Sequence, residues 1–207
     1  MNVISLVLGP LHTNCYVIYG KDNKATVIDP AFFADRIMSV LEQKGLTLDK
    51  ILLTHAHFDH IMAAEELREH GAELYIHCED EEMLNDSQLN CSLEFLGREQ
   101  TFKKAEHLLK DGDLINIADE KLTVMHTPGH TKGSVCYISD ECIFSGDTLF
   151  CSSVGRTDLY GGSYDTLMCS LKRLKSLEKD YIILPGHGEQ TTLEKEKNDN
   201  IYMKTLR

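Results

Sequence analysis

Four side chains that can bind a metal are crowded into the six residues His55-Ala56-His57-Phe58-Asp59-His60. They directly follow Lys50–Thr54, a short apolar run typical of a buried strand. Alternate side chains of a strand point the same way, so His55 and His57 can converge on one ion at a fraying strand end. The turn that follows directs Asp59 and His60 to a second point nearby. The cluster therefore requires a fold in which strand ends meet at a polar edge.

Three more candidate ligands lie in glycine-flanked loops that follow predicted strands: His130, Asp147 and His187. A neighbouring glycine lets the backbone turn tightly where a β-carbon would clash. Alone, each would be interpreted as a structural histidine or a turn-forming aspartate. Together with the cluster they form a set of imidazoles and carboxylates without a thiolate, which suits zinc, iron or manganese. The other histidines are predicted to be structural or exposed: His12, His70, His77, His107 and His126.

The rest of the pattern predicts mixed strands and helices in a single domain, 1–207. Apolar runs predict strands at Val3–Leu8, Cys15–Tyr19, Ala25–Ile28, Lys50–Thr54, Glu73–His77, Leu114–Ile117, Lys121–Met125, Val135–Ile138, Cys142–Phe144 and Tyr181–Leu184. Helices are predicted over Asp35–Lys44, Ile61–His70 and, capped by Ser163, to about Glu178, and the polar segment Glu79–Lys110 is predicted to be a mostly helical cover. The order favours an α/β fold of two sheets packed face to face with helices outside.

Composition excludes several function classes. The net charge of −12 argues against a nucleic-acid-binding surface, because phosphate contacts come mainly from clustered Lys and Arg. No apolar run approaches the roughly 20 residues of a membrane-spanning helix, and Val3–Leu8 lacks the basic flank and cleavage site of a signal peptide. The seven cysteines are scattered without a C-x-x-C pair, which predicts reduced and mostly buried thiols. We therefore expect a soluble, cytoplasmic protein that acts on a small molecule, with neither a nucleic-acid nor a membrane partner.

Seven motifs occur in an order known from one protein family. They are Thr13-Asn14-Cys15-Tyr16, Asp29-Pro30, Thr54–His60, Thr127-Pro128-Gly129-His130-Thr131, Phe144–Phe150, Gly155-Arg156-Thr157-Asp158 and Gly186-His187-Gly188. Over essentially the whole chain the sequence resembles the metallo-β-lactamase superfamily, and within it the short, single-domain proteins similar to glyoxalase II, or hydroxyacylglutathione hydrolase. The resemblance implies an αβ/βα sandwich with its metals at one edge.

The resemblance also implies a division of the ligands between two divalent ions, zinc in the first instance. His55, His57 and His130 would hold one ion, Asp59, His60 and His187 the other, and Asp147 would bridge them. Two cations close together lower the pKa of a shared water, so that a nucleophile exists near neutral pH. Asp59 is predicted to orient that nucleophile as well.

A thioester of a hydroxy acid, such as S-D-lactoylglutathione, is the substrate that the resemblance implies. A thiolate leaves with little help from a general acid, which suits a site with metals and no obvious proton donor. Arg156 matches a basic position near the glutathione moiety, and it can pair with a substrate carboxylate or, equally, with Asp158. Only Glu189–Arg207 follow the last ligand, whereas glyoxalase II itself binds glutathione with the help of a C-terminal helical region, so a thiol other than glutathione stays open.

Other activities remain open at this point. Persulfide dioxygenases resemble the chain in the same motifs and bind one iron through positions matching His55, His130 and Asp147. A lactonase of the same fold and a non-catalytic redox module are further alternatives, although no flavin-binding loop accompanies the motifs. The carboxylate at Asp147 disfavours the antibiotic-hydrolysing β-lactamases, which typically lack it, and the acidic charge disfavours the tRNA-processing members. The sequence does not determine the oligomeric state.

Overall fold

The structure is a computed structural model that describes residues 1–118 and 120–206. Its first sheet contains six strands in the order of the sequence: β1 Asn2–Leu8, β2 Thr13–Tyr19, β3 Lys24–Ile28, β4 Thr47–Leu52, β5 Glu73–His77 and β6 His107–Leu109. The first three strands are antiparallel, whereas β3 to β6 run parallel. The carboxyl ends of the parallel strands therefore meet at one edge of this sheet.

The second sheet also contains six strands. They are β7 Leu114–Ile117, β8 Glu120–His126, β9 Val135–Ile138, β10 Cys142–Gly146, β13 Ile182–Pro185 and β14 Thr191–Thr192. Two antiparallel pairs of strands adjacent in sequence are β7 with β8 and β9 with β10, and Asp119, between the first two, lies outside the described residues. β10 and β13 run parallel, and the short strands β11 Leu149–Phe150 and β12 Ser153–Val154 form a separate pair between them in sequence.

Helices connect the strands. They are α1 Ala34–Lys44, α2 Phe58–Ile61, α3 Ala64–Arg68, α4 Glu81–Leu84, α5 Ser92–Leu96, α6 Tyr164–Lys175, α7 Leu193–Asp199 and α8 Ile201–Lys204. The hydroxyl of Ser163 accepts the backbone N–H of Thr166 and begins α6, as predicted. Gly45 ends α1 in the left-handed region, where glycine carries no steric penalty. Among the described residues, no helix is both long and apolar enough to cross a membrane.

Three buried apolar clusters lie between four layers. The cluster between the two sheets includes Tyr16, Ile28, Leu52, Tyr137 and Phe144. A second cluster packs the first sheet against α1 and α3, and a third packs the second sheet against α6, α7 and α8. Each sheet is thus covered by its partner sheet on one face and by helices on the other. The predicted αβ/βα sandwich is confirmed.

Two predicted elements near the histidine cluster exist, but their predicted extents are wrong. β4 ends at Leu52, because the N–H of Thr54 is donated to the Asp29 carboxylate at 2.7 Å instead of a neighbouring strand. The helix predicted over Ile61–His70 is interrupted at residues 62–63, where the N–H of Ala63 is donated to the carbonyl of Pro30. A tertiary hydrogen bond therefore decides both boundaries.

The segment Glu79–Lys110, predicted to be a mostly helical cover, contains only the short helices α4 and α5 and the strand β6. Local side-chain bonds replace helical ones here: the Asp86 carboxylate accepts the N–H groups of Gln88 and Leu89, and the Asn90 side chain accepts that of Ser92. Such bonds compete with a regular helix. The cysteine prediction is confirmed, since all seven are free.

Candidate metal centre

The seven predicted ligands lie in segments that follow four strands at one edge of the sandwich, Asp59 and His60 in α2 and the others in loops. The His55–His60 segment follows β4 in the first sheet, while His130, Asp147 and His187 follow β8, β10 and β13 in the second. His55 and His57 lie in the loop beyond the end of β4, and not on a fraying strand end as predicted. The centre is therefore built from both sheets.

The first group of candidate ligands is His55, His57 and His130. One nitrogen from each ring lies within 4.8 Å of the others, so that the three can share an ion. The Nδ1 of His57 and the Nε2 of His130 are 2.9 Å apart. All three residues are buried, which makes this the enclosed part of the centre.

The second group is Asp59, His60 and His187, whose ligand atoms also lie within 4.8 Å of one another. The Nε2 atoms of His60 and His187 are 3.3 Å apart, and they lie 3.4 and 3.2 Å from the Oδ2 of Asp59. Asp59 and His60 are buried, whereas the side chain of His187 is 27% exposed. This group therefore faces the outside on one side.

Asp147 lies between the two groups. Its Oδ2 is 3.5 Å from the Nε2 of His130 and 3.6 Å from that of His187, and its Oδ1 is 3.4 Å from the Nε2 of His60. Gly186 makes room for it, because a β-carbon at position 186 would come within 2.2 Å of the Asp147 Oδ1. One carboxylate is thus within reach of both groups.

Two of the three histidines in the first group have a hydrogen-bond partner for the ring nitrogen that faces away from the shared point. His130 donates from Nδ1 to the carbonyl of Arg156 at 2.7 Å. The Nδ1 of His55 lies 3.1 Å from the Oγ1 of Thr54, and that hydroxyl donates to the Asp29 carboxylate at 2.7 Å. Such partners fix the tautomer and orientation of a ligating imidazole.

The second group is held in the same way. His60 donates from Nδ1 to the Asp29 carboxylate at 2.9 Å, and His187 donates from Nδ1 to the carbonyl of Leu11 at 3.1 Å. The hydroxyl of Thr13 donates to the Oδ2 of Asp59 at 2.8 Å. The other ring nitrogen of His60 and of His187, Nε2, therefore lies toward the carboxylates of Asp59 and Asp147.

The loop carrying His187 is tied to the start of the chain. Thr13 and His187 form an isolated antiparallel bridge, and the N–H of Asn14 is donated to the carbonyl of Gly186 at 2.7 Å. The side-chain amide of Asn14 donates to the carbonyls of Pro185 and Gly188 at 2.9 and 3.0 Å. The loop that carries His187, which follows β13 of the second sheet, is thus held in place by β2 of the first sheet.

Sequence reasoning assigned no positioning role to Asp29, Thr54, Thr13 or Asp80. Asp80 is buried and accepts hydrogen bonds from the N–H groups of Ala56 and Gly133 and from the hydroxyl of Thr131. It thereby joins the loops of His55 and His130, and burial raises its pKa to about 6. The Asp29-Pro30 strand end and the Thr before His55 were visible in the sequence, whereas nothing local distinguishes Asp80.

The charges at the centre suit cations. Burial, together with the neighbouring histidines, lowers the pKa of His55 and of His57 well below the usual value, so both rings are neutral donors. Burial would also lower the pKa of His60, but the carboxylates of Asp59, Asp147 and Asp29 outweigh it and raise that pKa. The first group is therefore neutral, whereas His60 holds a proton among carboxylates, and a bound cation would displace that proton because a ligating imidazole is neutral.

Three buried side-chain atoms in the described part of the chain have no hydrogen-bond partner, and all three belong to this centre: His55 Nε2, His57 Nε2 and Asp147 Oδ1. A buried polar atom without a partner costs free energy. Bound cations would compensate part of that cost. The donor set therefore fits divalent metal ions.

A cavity of about 320 Å³ opens beside the centre. Its polar lining includes five candidate ligands and Arg156, and the remainder is Leu11, Phe58, Cys91, Phe95, Phe150 and Leu159. Arg156 binds Asp158 through two hydrogen bonds, from Nε and Nη2, at 2.7 and 2.8 Å. Of the two partners considered for Arg156, the structure shows Asp158.

Comparison with known proteins was made by sequence and by structure. The model of the metallo-beta-lactamase superfamily matches residues 8–187. The probable metallo-hydrolase YqgX of Bacillus subtilis is 38% identical over 200 residues, covering 95% of this chain and 94% of that protein. The hydroxyacylglutathione hydrolase GloC of Haemophilus influenzae is 33% identical over 208 residues, covering 98% of both.

Two solved structures resemble the chain over nearly its whole length. The crystal structure of BLEG-1, a B3 metallo-beta-lactamase, is 39% identical with a TM-score of 0.93 and covers 98% of this chain and 99% of that one. The crystal structure of TTHA1623 in a di-iron-bound form is 34% identical with a TM-score of 0.86 and covers 97% and 100%. The chain therefore belongs to the metallo-beta-lactamase superfamily, a superfamily of metal-dependent hydrolases, and is similar to its glyoxalase II-like members.

Proposed function

We propose that this protein is a two-metal hydrolase that cleaves thioesters of hydroxy acids or related acyl groups. His55, His57 and His130 would hold one divalent ion, Asp59, His60 and His187 the other, and Asp147 would contact both. The position of Asp147 between the two groups supports this proposal most directly. Zinc is the proposed metal, and the di-iron form of a relative makes iron the first alternative.

Two ions held there would supply Lewis acidity and would lower the pKa of a water shared between them. The chain's own part is to place Asp59 at the cavity with its Oδ2 fixed by Thr13. In that position the carboxylate can accept a hydrogen bond from the attacking water and orient it. Asp59 is therefore the proposed catalytic residue in addition to its ligand role.

The choice of a thioester follows from the proton donors at hand. Among the described residues that line the cavity, Cys91 and Arg156 are the groups outside the ligand set that carry a transferable proton. Burial raises the pKa of the Cys91 thiol to about 11, and Arg156 is bound to Asp158. A thiolate leaves with little protonation, whereas an amine or alkoxide needs a proton donor. The relative named a hydroxyacylglutathione hydrolase supports the same substrate class.

A second candidate is β-lactam hydrolysis, because a relative that is 39% identical is named a B3 metallo-beta-lactamase. A third is the one-iron dioxygenase chemistry considered from the sequence, whose ligand positions are a subset of these seven. Metal content separates the third candidate from the other two.

The test uses purified protein with its native metals. Elemental analysis is expected to give about two ions per chain, consistent with two ligand groups, and a thiol-detecting assay is expected to show hydrolysis of S-D-lactoylglutathione. A cephalosporin that changes colour on ring opening and oxygen uptake with glutathione persulfide test the other candidates. One iron per chain with oxygen uptake and no thiol release would overturn the proposal.

A further inference from the structure

The wall of the cavity differs from its floor. The floor is formed by candidate ligands, whereas most of the wall is apolar and comes from four separate segments of the chain. The wall consists of Leu11, Phe58, Cys91, Phe95, Phe150 and Leu159, with Arg156 as its one charged member among the described residues. The cavity volume of about 320 Å³ is at the lower end of the range for small-molecule sites. It can enclose one modest chemical group beside the metals.

Two large apolar side chains of this wall are exposed to solvent. Leu11, in the turn between β1 and β2, is 45% exposed, and Phe95, in α5, is 46% exposed. The Phe95 ring stacks on the buried ring of Phe58, with centroids 5.7 Å apart and an interplanar angle of 23°. The Phe150 ring meets the His187 ring at 6.1 Å and 76°. A ligand that covers this surface removes apolar area from water, which is favourable.

The same wall offers little to an anion. Both carboxylate oxygens of Asp158 bind the Arg156 guanidinium, so the pair is neutral as a unit. The charge of Glu94, in α5, adds to this effect. After Asp158 it contributes to the raised pKa of Arg156, and after burial it contributes to the raised pKa of the Cys91 thiol. The whole chain carries a net charge of −12. A glutathione moiety brings two carboxylates, and recognition of carboxylates normally uses unpaired Arg or Lys side chains.

Building on the thioesterase function proposed above, we propose that the acyl group of the substrate is apolar and uncharged, a short aliphatic chain or an aromatic ring packed between Leu11 and Phe95. The thiol portion is not recognised through its charge. Among the acyl groups covered by the proposed function, apolar ones are therefore the preferred substrates, and S-D-lactoylglutathione is a slower one.

The test compares four thioesters on the metal-loaded protein: acetyl and hexanoyl groups, each carried by N-acetylcysteamine or by glutathione. Each buried CH₂ group is worth about fourfold in affinity. We therefore expect kcat/KM for hexanoyl to exceed that for acetyl by at least about tenfold on either thiol, and the neutral thiol to serve at least as well as glutathione.

Variants locate the preference. Leu11→Ala and Phe95→Ala are each expected to lower the hexanoyl-to-acetyl ratio by about threefold or more. Leu108→Ala is the matched control, because Leu108 is 46% exposed on β6 and does not line the cavity, and it should leave the ratio unchanged. Asp158→Asn should free the Arg156 charge and raise kcat/KM for the glutathione thioesters relative to the neutral ones.

A binding measurement tests the apolar acyl site independently of the thioesterase activity on which the proposal rests. Calorimetric titration with the uncleavable thioethers S-hexyl- and S-methyl-N-acetylcysteamine measures the preference without hydrolysis. Tighter binding of the hexyl compound with no cleavage of any thioester would refute the thioesterase and keep the apolar site. A hexanoyl-to-acetyl ratio near one, or a ratio that Leu108→Ala lowers as much as Phe95→Ala, would overturn the apolar acyl proposal.

Discussion

The two candidate ligand groups differ in chemistry and in enclosure. The first has three buried imidazoles, whereas the second combines a carboxylate with two imidazoles, one of them the partly exposed His187. Both draw ligands from the two sheets. Two members of each group line the cavity, so the groups differ not in access to it but in burial, since only His187 among the six is partly exposed. On the proposed assignment we expect the ion of the second group to leave more readily.

The largest effect should come from Asp147, which lies between the two groups. Asp147→Asn removes the negative charge that is proposed to contact both ions, and it should lower kcat for thioester hydrolysis by about a thousandfold and weaken the binding of both ions. Kinetics, elemental analysis and circular dichroism check the three parts of this prediction. Asp140→Asn, at an exposed turn, is the control, and an active Asp147→Asn variant with two ions would refute the bridging role.

Removing one imidazole from each group is expected to lower metal content, activity and thermal stability to different degrees. His187→Ala should retain about one ion per chain after dialysis and lose about a hundredfold in kcat/KM, while His57→Ala should lose more activity and also melt at a lower temperature, because it leaves a buried cavity. Metal content, kinetics and thermal melting measure the pair. Equal metal content and equal melting temperatures in the two variants would mean that enclosure does not distinguish the groups.

Asp29 offers an intermediate effect, since it holds His60 directly and His55 through Thr54. Asp29→Asn keeps the shape but weakens both contacts, and such outer partners usually change metal affinity by about 10- to 100-fold. Competition with a chromophoric chelator should show weaker binding in both groups. A change confined to one ion would show that the two groups are oriented independently.

The smallest effects should separate the groups most cleanly. Asp80→Asn disturbs only the loops of the first group, and Thr13→Val removes one hydrogen bond from Asp59 in the second. Each loses about 0.5–1.5 kcal/mol of net hydrogen bonding, so we expect about two- to tenfold weaker binding of one ion and not of the other. Competition with the chromophoric chelator measures the affinity for each ion in both variants. If either variant weakens both ions equally, the groups are coupled more tightly than their contacts indicate.

The sequence predicted the sandwich and placed the seven candidate ligands at strand ends, because both depend on local patterns. Apolar runs mark strands, and glycines beside His130, Asp147 and His187 mark the loops. It failed where distant contacts decide the structure. The N–H of Thr54 is taken by Asp29, that of Ala63 by Pro30, and the three-residue strand β6 forms only because β5 lies beside it. Asp80 escaped notice for the same reason, since its partners are remote in sequence.

The bridge between Thr13 and His187 determines how late in synthesis the candidate metal centre can be completed. Asn14 and Gly188 are separated by 174 positions, so the turn that carries His187 cannot dock on β2 until the chain between them has been synthesised. Closing so long a loop is slow relative to forming local hairpins. During synthesis the nascent chain already exposes His55 to His60 while the last ligand is missing. On the proposed assignment, the second ion would be held by all of its ligands only after the turn that follows β13 has docked on β2.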